Sequence, residues 1–277
     1  MNKAAIVACS NGQDREHEYQ NNELVEILKH HGKDVELSRC LYAKRGIFQG
    51  SPQERAGELM RMFQDPDVCE IYDISGGDIA NQLLPYMDFD VVAKSKAVLW
   101  GYSDLTTILN AIYTLTGKES VLYQVKNMVW GDCTEMQRKR FFNRKELFDP
   151  KFSFCQGNEM EGIVVGGNIR CFLKLAGTKY FPKLQGKLLL LESLGGLQAQ
   201  MATYLAQLQQ LGAFEKVKGI LLGNFRAMEK EGCEPEIIEL VRSYAGPTLP
   251  IAKTSEIGHR NDSKAIVIGK NMAIRDF

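Results

Sequence analysis

Several common site signatures are missing from this sequence. No stretch approaches the roughly 20 apolar residues that a membrane span needs. The seven cysteines are odd in number and scattered, and no two form a C-x-x-C pair. That argues against a disulfide framework or a zinc site and for reduced thiols in a cytoplasm. The four histidines show no metal-ligand spacing; His30-His31 falls near the end of an expected helix, where the helix dipole favours it. G-x-G-x-x-G and the P-loop pattern are both missing, even where Val165-Gly166-Gly167-Asn168 suggests a turn after a strand. There is no excess of charge of either sign: Lys+Arg and Asp+Glu both number 34. A nucleic-acid surface would shift that balance, and Arg138-Lys139-Arg140 with Arg144-Lys145 reads as a solvated helix face. The apolar run in residues 1–8 is too short for a signal peptide and reads as a first strand. Together these absences point away from a metal, a cofactor, nucleic acid and a membrane.

What is present is a soluble globular composition, 44% hydrophobic and 25% charged, in a chain long enough for one large core or two modest ones. Strand and helix patterns alternate from the start. Residues 3–8 read as a strand, and the loop from Cys9 to Asp14 falls where a doubly wound sheet presents a ligand. Leu24, Val25, Ile27 and Leu28 mark a helix, and residues 34–38 alternate as a strand. Ser51-Pro52-Gln53-Glu54 carries a capping box with proline at the first helical position. Further strands are expected at 70–75, 96–100 and 120–123. The alternation implies α/β architecture with a mostly parallel sheet. Residues 126–160 break the rhythm: they are polar, with one short helix expected around 134–142 and no clean strand. We read 1–125 as an N-terminal domain, 126–160 as a connection and 161–277 as a C-terminal domain. In the last, strands are expected at 163–168, 187–191, 218–222, 250–252 and 265–268, and helices at 198–211 and 234–244.

The stretch 71–117 holds two strand-to-loop transitions. One ends in Gly76-Gly77-Asp78, the other in Gly101-Tyr102-Ser103-Asp104. Leu105, Ile108, Leu109, Ile112 and Leu115 then recur at helical spacing. Ser103 is therefore expected in a tight turn between a buried strand and a helix, where α/β proteins place a nucleophile. Backbone amides beside it could receive an oxyanion, and the double glycine one strand away lets a second amide approach. Local pattern alone favours reading Ser103-Asp104 as an ordinary helix N-cap, and Leu105 stands where G-x-S-x-G has its second glycine. A serine nucleophile needs a base and the base an orienting acid. Glu192 closes a leucine-rich buried strand and His259 follows Gly258 in a loop between strands. Read singly, they are equally a strand-end carboxylate and a solvated loop histidine.

The ordered set of motifs decides between these readings. Gly76-Gly77-Asp78 with Asn81 to Asp88, Gly101-Tyr102-Ser103-Asp104, Val165-Gly166-Gly167-Asn168, Gly177-Thr178 with Tyr180 and Pro182, Gly186-Lys187 through Leu191-Glu192, and Gly258-His259 run in register over nearly the whole chain. In this the sequence resembles the LD-carboxypeptidase family of serine peptidases, which includes the microcin C immunity-type hydrolases. The resemblance implies a flavodoxin-like N-terminal parallel-sheet domain and a smaller, swivelling-type C-terminal α/β domain. It implies Ser103 as nucleophile, His259 as base, Glu192 as triad acid, and the amides of Asp104 and Gly77 as the oxyanion hole. It implies no cofactor, a peptide or peptide-nucleotide substrate, and a homodimer. Two activities follow from it: release of D-alanine from murein tetrapeptides, or hydrolysis of aminoacyl-nucleotide amides, with Trp130 and Phe141 as candidate base stackers. A non-catalytic binding relative is the third reading. The chain departs from the family at Tyr123-Gln124-Val125, where His-Gly-Pro or Tyr-Gly-Pro is common, at Ile79, and at Cys9-Ser10-Asn11-Gly12, which lacks the usual Pro-Ser.

Overall fold

The structure, a computed structural model, describes residues 3–276. The first five strands are β1 (Lys3–Val7), β2 (Asp34–Leu37), β3 (Val68–Asp73), β4 (Val98–Gly101) and β5 (Ser120–Leu122). They pair in parallel in the order β2-β1-β3-β4-β5, the flavodoxin-like order, and Met1 and Asn2 of the expected first strand lie outside the described residues. Helices α1 (Glu18–His30), α2 (Pro52–Gln64), α3 (Phe89–Lys94) and α4 (Thr106–Thr116) intervene. Helix α2 starts where its sequence says it should: the Ser51 hydroxyl accepts from the Glu54 amide, and the Glu54 carboxylate accepts from the Ser51 amide.

The segment 126–160 holds α5 (Thr134–Phe142) and α6 (Arg144–Leu147), and also a strand that its polar sequence hides, β6 (Ser153–Gln156). The expectation of no strand there is corrected. An edge strand needs a partner on one side only, so it can do without the apolar run of a central strand. The second sheet is built from β7 (Glu159–Asn168), β8 (Lys187–Ser193), β9 (Gly219–Phe225), β10 (Ile251–Lys253), β11 (Ile266–Ile268) and β12 (Asn271–Arg275), with one exception. Its order is β12-β7-β8-β9-β10-β6, parallel in the middle and antiparallel at both edges. The exception is β11, which pairs antiparallel with β5 at the edge of the first sheet. The sequence places this strand but not its sheet; a three-residue apolar strand carries no information about which edge it will complete. Helices α7 (Ile169–Leu173), α8 (Gln198–Gln210), α9 (Ala213–Lys216), α10 (Arg226–Glu231) and α11 (Ile237–Ala245) complete the second lobe.

The lobes share a core. One apolar cluster contains Val7, Ile71 and Leu99 of the first sheet, Leu105, Ile108 and Leu109 beneath the Ser103 turn, and Val164, Leu188 and Leu190 of the second sheet. Polar groups set the register between them. Strand β12 and the two residues before it bond the edge of β7 only as far as Val164, so the edge groups beyond it need other partners. Helix α4 of the first lobe supplies them. The Asn110 side-chain amide donates to the Gly166 carbonyl and its oxygen accepts from the Gly166 amide, both at 2.8 Å. Two residues on, the Thr106 hydroxyl oxygen accepts from the Asn168 amide at 3.0 Å. Asn110 is fully buried. Asn110→Ala strands a buried N–H and a buried C=O, and each such group costs about 1–3 kcal/mol. We expect about 2–4 kcal/mol of lost stability in urea denaturation, with the m-value unchanged.

Candidate active site

The Ser103 turn is an elbow. Strand β4 ends at Gly101, Tyr102 is extended, and Ser103 has φ +53°, the one positive value for a non-glycine among the described residues. Such a conformation costs about 1–3 kcal/mol and persists only where its surroundings impose it. The chain then turns at once through a short 3-10 stretch, Ser103–Leu105, into α4. The turn is tight enough that a Cβ on Gly101 would lie 2.7 Å from Leu105 Cβ. Leucine is accommodated where the G-x-S-x-G pattern has glycine because the first glycine has vacated that space. The Asp104 amide lies in the first helical turn, where N–H groups lack intrahelical acceptors.

The second lobe brings Glu192 and His259 to the elbow. Glu192 is the sixth residue of β8 and has no exposed surface. Its carboxylate would be prohibitively desolvated without partners. It has three: His259 Nδ1 at 2.7 Å and the Tyr102 hydroxyl at 3.2 Å on Oε2, and Asn168 Nδ2 at 3.1 Å on Oε1. The other ring nitrogen of His259, Nε2, lies 3.0 Å from Ser103 Oγ. With the proton of the neutral ring on Nδ1, toward the carboxylate, Nε2 is left to accept from the serine. The His259 carbonyl is held by the Arg226 guanidinium at 2.7 Å, and the imidazole packs on the Tyr102 ring with centroids 4.7 Å apart. Burial and the neighbouring Glu192 carboxylate push the Tyr102 phenol well above its usual range, so it stays a donor.

Gly77 lies in the turn after β3, the strand next to β4. Its φ of +132° suits glycine alone, and a Cβ there would collide with the Asn11 side chain. The Arg170 guanidinium bonds its carbonyl at 3.2 Å and pairs with Asp78. The Asp104 side chain ties this turn to the elbow. Its Oδ2 accepts from the Ser10 hydroxyl and the Ala80 amide, both at 2.7 Å, and its Oδ1 from Lys174 Nζ at 2.6 Å. Behind the turn, the buried Arg55 guanidinium donates to the carbonyls of Cys9 (2.8 Å) and Ile79 (3.4 Å).

The three residues expected to meet from distant parts of the chain thus stand in hydrogen-bonding sequence where the lobes join. The sequence reading missed the supports. Tyr102 and Asn168 sit inside the quoted motifs, so only their roles were hidden. Lys174, Arg170 and Arg55 carry no local pattern that distinguishes them from surface cations. Of the two aromatic candidates, Phe141 is excluded as a stacker: it is fully buried against Tyr72, Trp100 and Tyr123. Trp130 is partly exposed, with Lys126 Nζ 4.9 Å from its ring centre. Among the described residues no cluster of three or more His, Cys, Asp or Glu could hold a metal ion, and no helix is long and apolar enough to cross a membrane.

Two largely parallel α/β lobes, with a serine on an elbow at their junction, make the architecture of a two-domain serine peptidase. Residues 4–123 match the model of the LD-carboxypeptidase N-terminal domain and residues 161–274 that of the LD-carboxypeptidase C-terminal domain. The chain belongs to the LD-carboxypeptidase family of serine peptidases. It is 27% identical to a probable murein peptide carboxypeptidase of Bacillus subtilis, over 90% of this chain and 82% of that protein. It is 25% identical to the microcin self-immunity protein MccF of Escherichia coli, over 91% of this chain and 84% of that protein. The solved structure of MccF in complex with glutamyl sulfamoyl guanosine has the same fold, with a TM-score of 0.87 at 19% identity, covering 100% of this chain and 96% of that one.

Proposed function

We propose that the protein hydrolyses an amide bond with Ser103 as nucleophile, His259 as general base and acid, and Glu192 as the group that orients the imidazole. His259 Nε2 takes the hydroxyl proton as Ser103 Oγ attacks the amide carbonyl. The negative Glu192 stabilises the imidazolium formed. The amides of Asp104 and Gly77 receive the tetrahedral oxyanion. His259 then protonates the leaving amine, and water, deprotonated by the same ring, releases the acyl group from Ser103. The observation that carries this reading is the continuous contact from Ser103 Oγ through the two ring nitrogens to a buried carboxylate, at 3.0 and 2.7 Å. An accidental meeting of loop residues would not leave Glu192 without exposed surface and fully partnered.

The substrate we infer is a murein tetrapeptide, cut at its terminal L,D bond with release of D-alanine. The B. subtilis relative, named for murein peptides, supports this. The second reading is hydrolysis of an aminoacyl-nucleotide amide, supported by the guanosine ligand in the MccF structure. The two are separated by offering purified protein an L,D-linked tetrapeptide and an aminoacyl sulfamoyl adenosine, and assaying free D-alanine and free amino acid. We expect D-alanine from the first at a rate at least tenfold above amino acid from the second. The reverse ratio would replace the carboxypeptidase reading with the second one.

A further inference from the structure

The Ser103 cleft still needs a group to receive the negative charge of its substrate. Lys126 lies in the 3-10 turn Val125–Met128 that follows β5. Its Nζ donates to Gln13 Oε1 at 2.7 Å. Gln13, itself buried, ends the loop whose Asn11 packs against Gly77. On the other side, the next residue, Asn127, donates to the Ser263 hydroxyl at 3.0 Å and the Arg260 carbonyl at 3.4 Å, and Arg260 adjoins His259. The turn carrying Lys126 therefore links the loop beside Gly77, through Lys126, to the loop carrying His259, through Asn127, at the carboxyl ends of the strands, where open α/β sheets take their ligands.

Its charge is unanswered. Lys174 at the same cleft has Asp104, and Arg170 has Asp78. Among the described residues Lys126 makes no ion pair: it is half-buried, its hydrogen-bond partner is a neutral carboxamide, and the Trp130 ring covers one side. Dehydration without a counter-charge pushes the ammonium down to about 8. A partly buried cation held in place by a neutral group is a costly arrangement for the protein alone and a receptive one for an anion. The residue also directly follows Tyr123-Gln124-Val125, the segment at which this chain departs from its family.

We propose that Lys126 anchors an oxyanion group that the substrate carries near the scissile amide, the terminal carboxylate of a peptide. This rests on reading the Ser103 cleft as that of an amide hydrolase, but its test does not require turnover. The Ser103→Ala protein and the Ser103→Ala/Lys126→Met protein are titrated calorimetrically with one L,D-linked tetrapeptide, as the free acid and as the terminal amide. Ser103→Ala is expected to bind the acid about 10- to 100-fold more tightly than the amide. The double variant should bind both with the affinity of the amide, and Lys126→Arg in the same background should keep part of the preference. If the preference survives Lys126→Met, or if both peptides weaken equally, as loss of a merely structural contact would cause, the anchor is disproved. If Ser103→Ala binds neither peptide, the murein reading falls, and glutamyl sulfamoyl guanosine becomes the probe. Lys126-dependent affinity then upholds the anchor with the sulfamate as its anion, and affinity indifferent to Lys126 refutes it.

Discussion

Ser103→Ala is expected to lower turnover by about 10⁴–10⁶-fold while leaving the protein folded. The rate term follows from the proposed chemistry: without the hydroxyl no acyl-enzyme could form, and what would survive is the contribution of the proposed oxyanion amides and of binding. The folding term follows from the backbone. Alanine and serine bear the same Cβ, so at φ +53° the substitution neither relieves nor adds strain. What is lost is one partly buried contact, to His259 Nε2. The imidazole keeps its bond to Glu192, so the site should stay assembled. Substrate affinity should therefore persist while kcat collapses. A fluorophosphonate probe should label the wild type stoichiometrically and the variant not at all. Wild-type turnover in Ser103→Ala would end the proposal.

The sequence was most legible where residues are buried symmetrically. Runs such as Leu188 to Leu191 must lie inside a parallel sheet, and the strand–helix alternation implies a mostly parallel one, whereas the order β2-β1-β3-β4-β5 was expected only from the resemblance. Edges were poorly legible. Strand β6 is polar and short, β12 alternates weakly, and β11 belongs to a sheet that began more than 100 residues earlier in the chain. Nothing local specifies such pairings, because they depend on which edge the rest of the fold leaves open. The site divides in the same way. The strand, turn and helix around Ser103 marked it as a candidate, although the same pattern reads as a helix N-cap. Glu192 and His259 needed the resemblance, since a strand-end glutamate and a loop histidine are common. The clamps from the second lobe, Lys174 on Asp104 and Arg170 on Asp78, were invisible: an ion pair between lobes leaves no periodicity in either partner. Asn110 looks like an ordinary helix residue until the edge of β7 is seen to lack a strand beside it.

Glu192→Gln should be nearly as damaging to catalysis, although it changes one oxygen to an NH₂ group. All three partners of this side chain are donors: His259 Nδ1, the Tyr102 hydroxyl and Asn168 Nδ2. A carboxylate accepts from all of them, and a glutamine cannot. If its NH₂ faces His259, the ring must accept at Nδ1 and carry its proton on Nε2, which then points at Ser103 and cannot take the serine proton. If the NH₂ faces Asn168 instead, two donors collide unless Asn168 turns its amide over. That amide is already committed, because Asn168 Oδ1 accepts from the Cys171 amide as the N-cap of α7. Turning it would break the cap, which is typically worth about 1 kcal/mol. The first arrangement thus avoids that loss, and it is the one with the wrong tautomer. A wrong tautomer in such a triad lowers kcat by about 10⁴-fold, and we expect a loss of that order here, with KM little changed. Loss of the negative charge beside the imidazolium acts in the same direction. The measurement is kcat and KM of Glu192→Gln on the substrate identified above; a kcat within tenfold of wild type would mean that Glu192 holds the fold and does not set the state of His259.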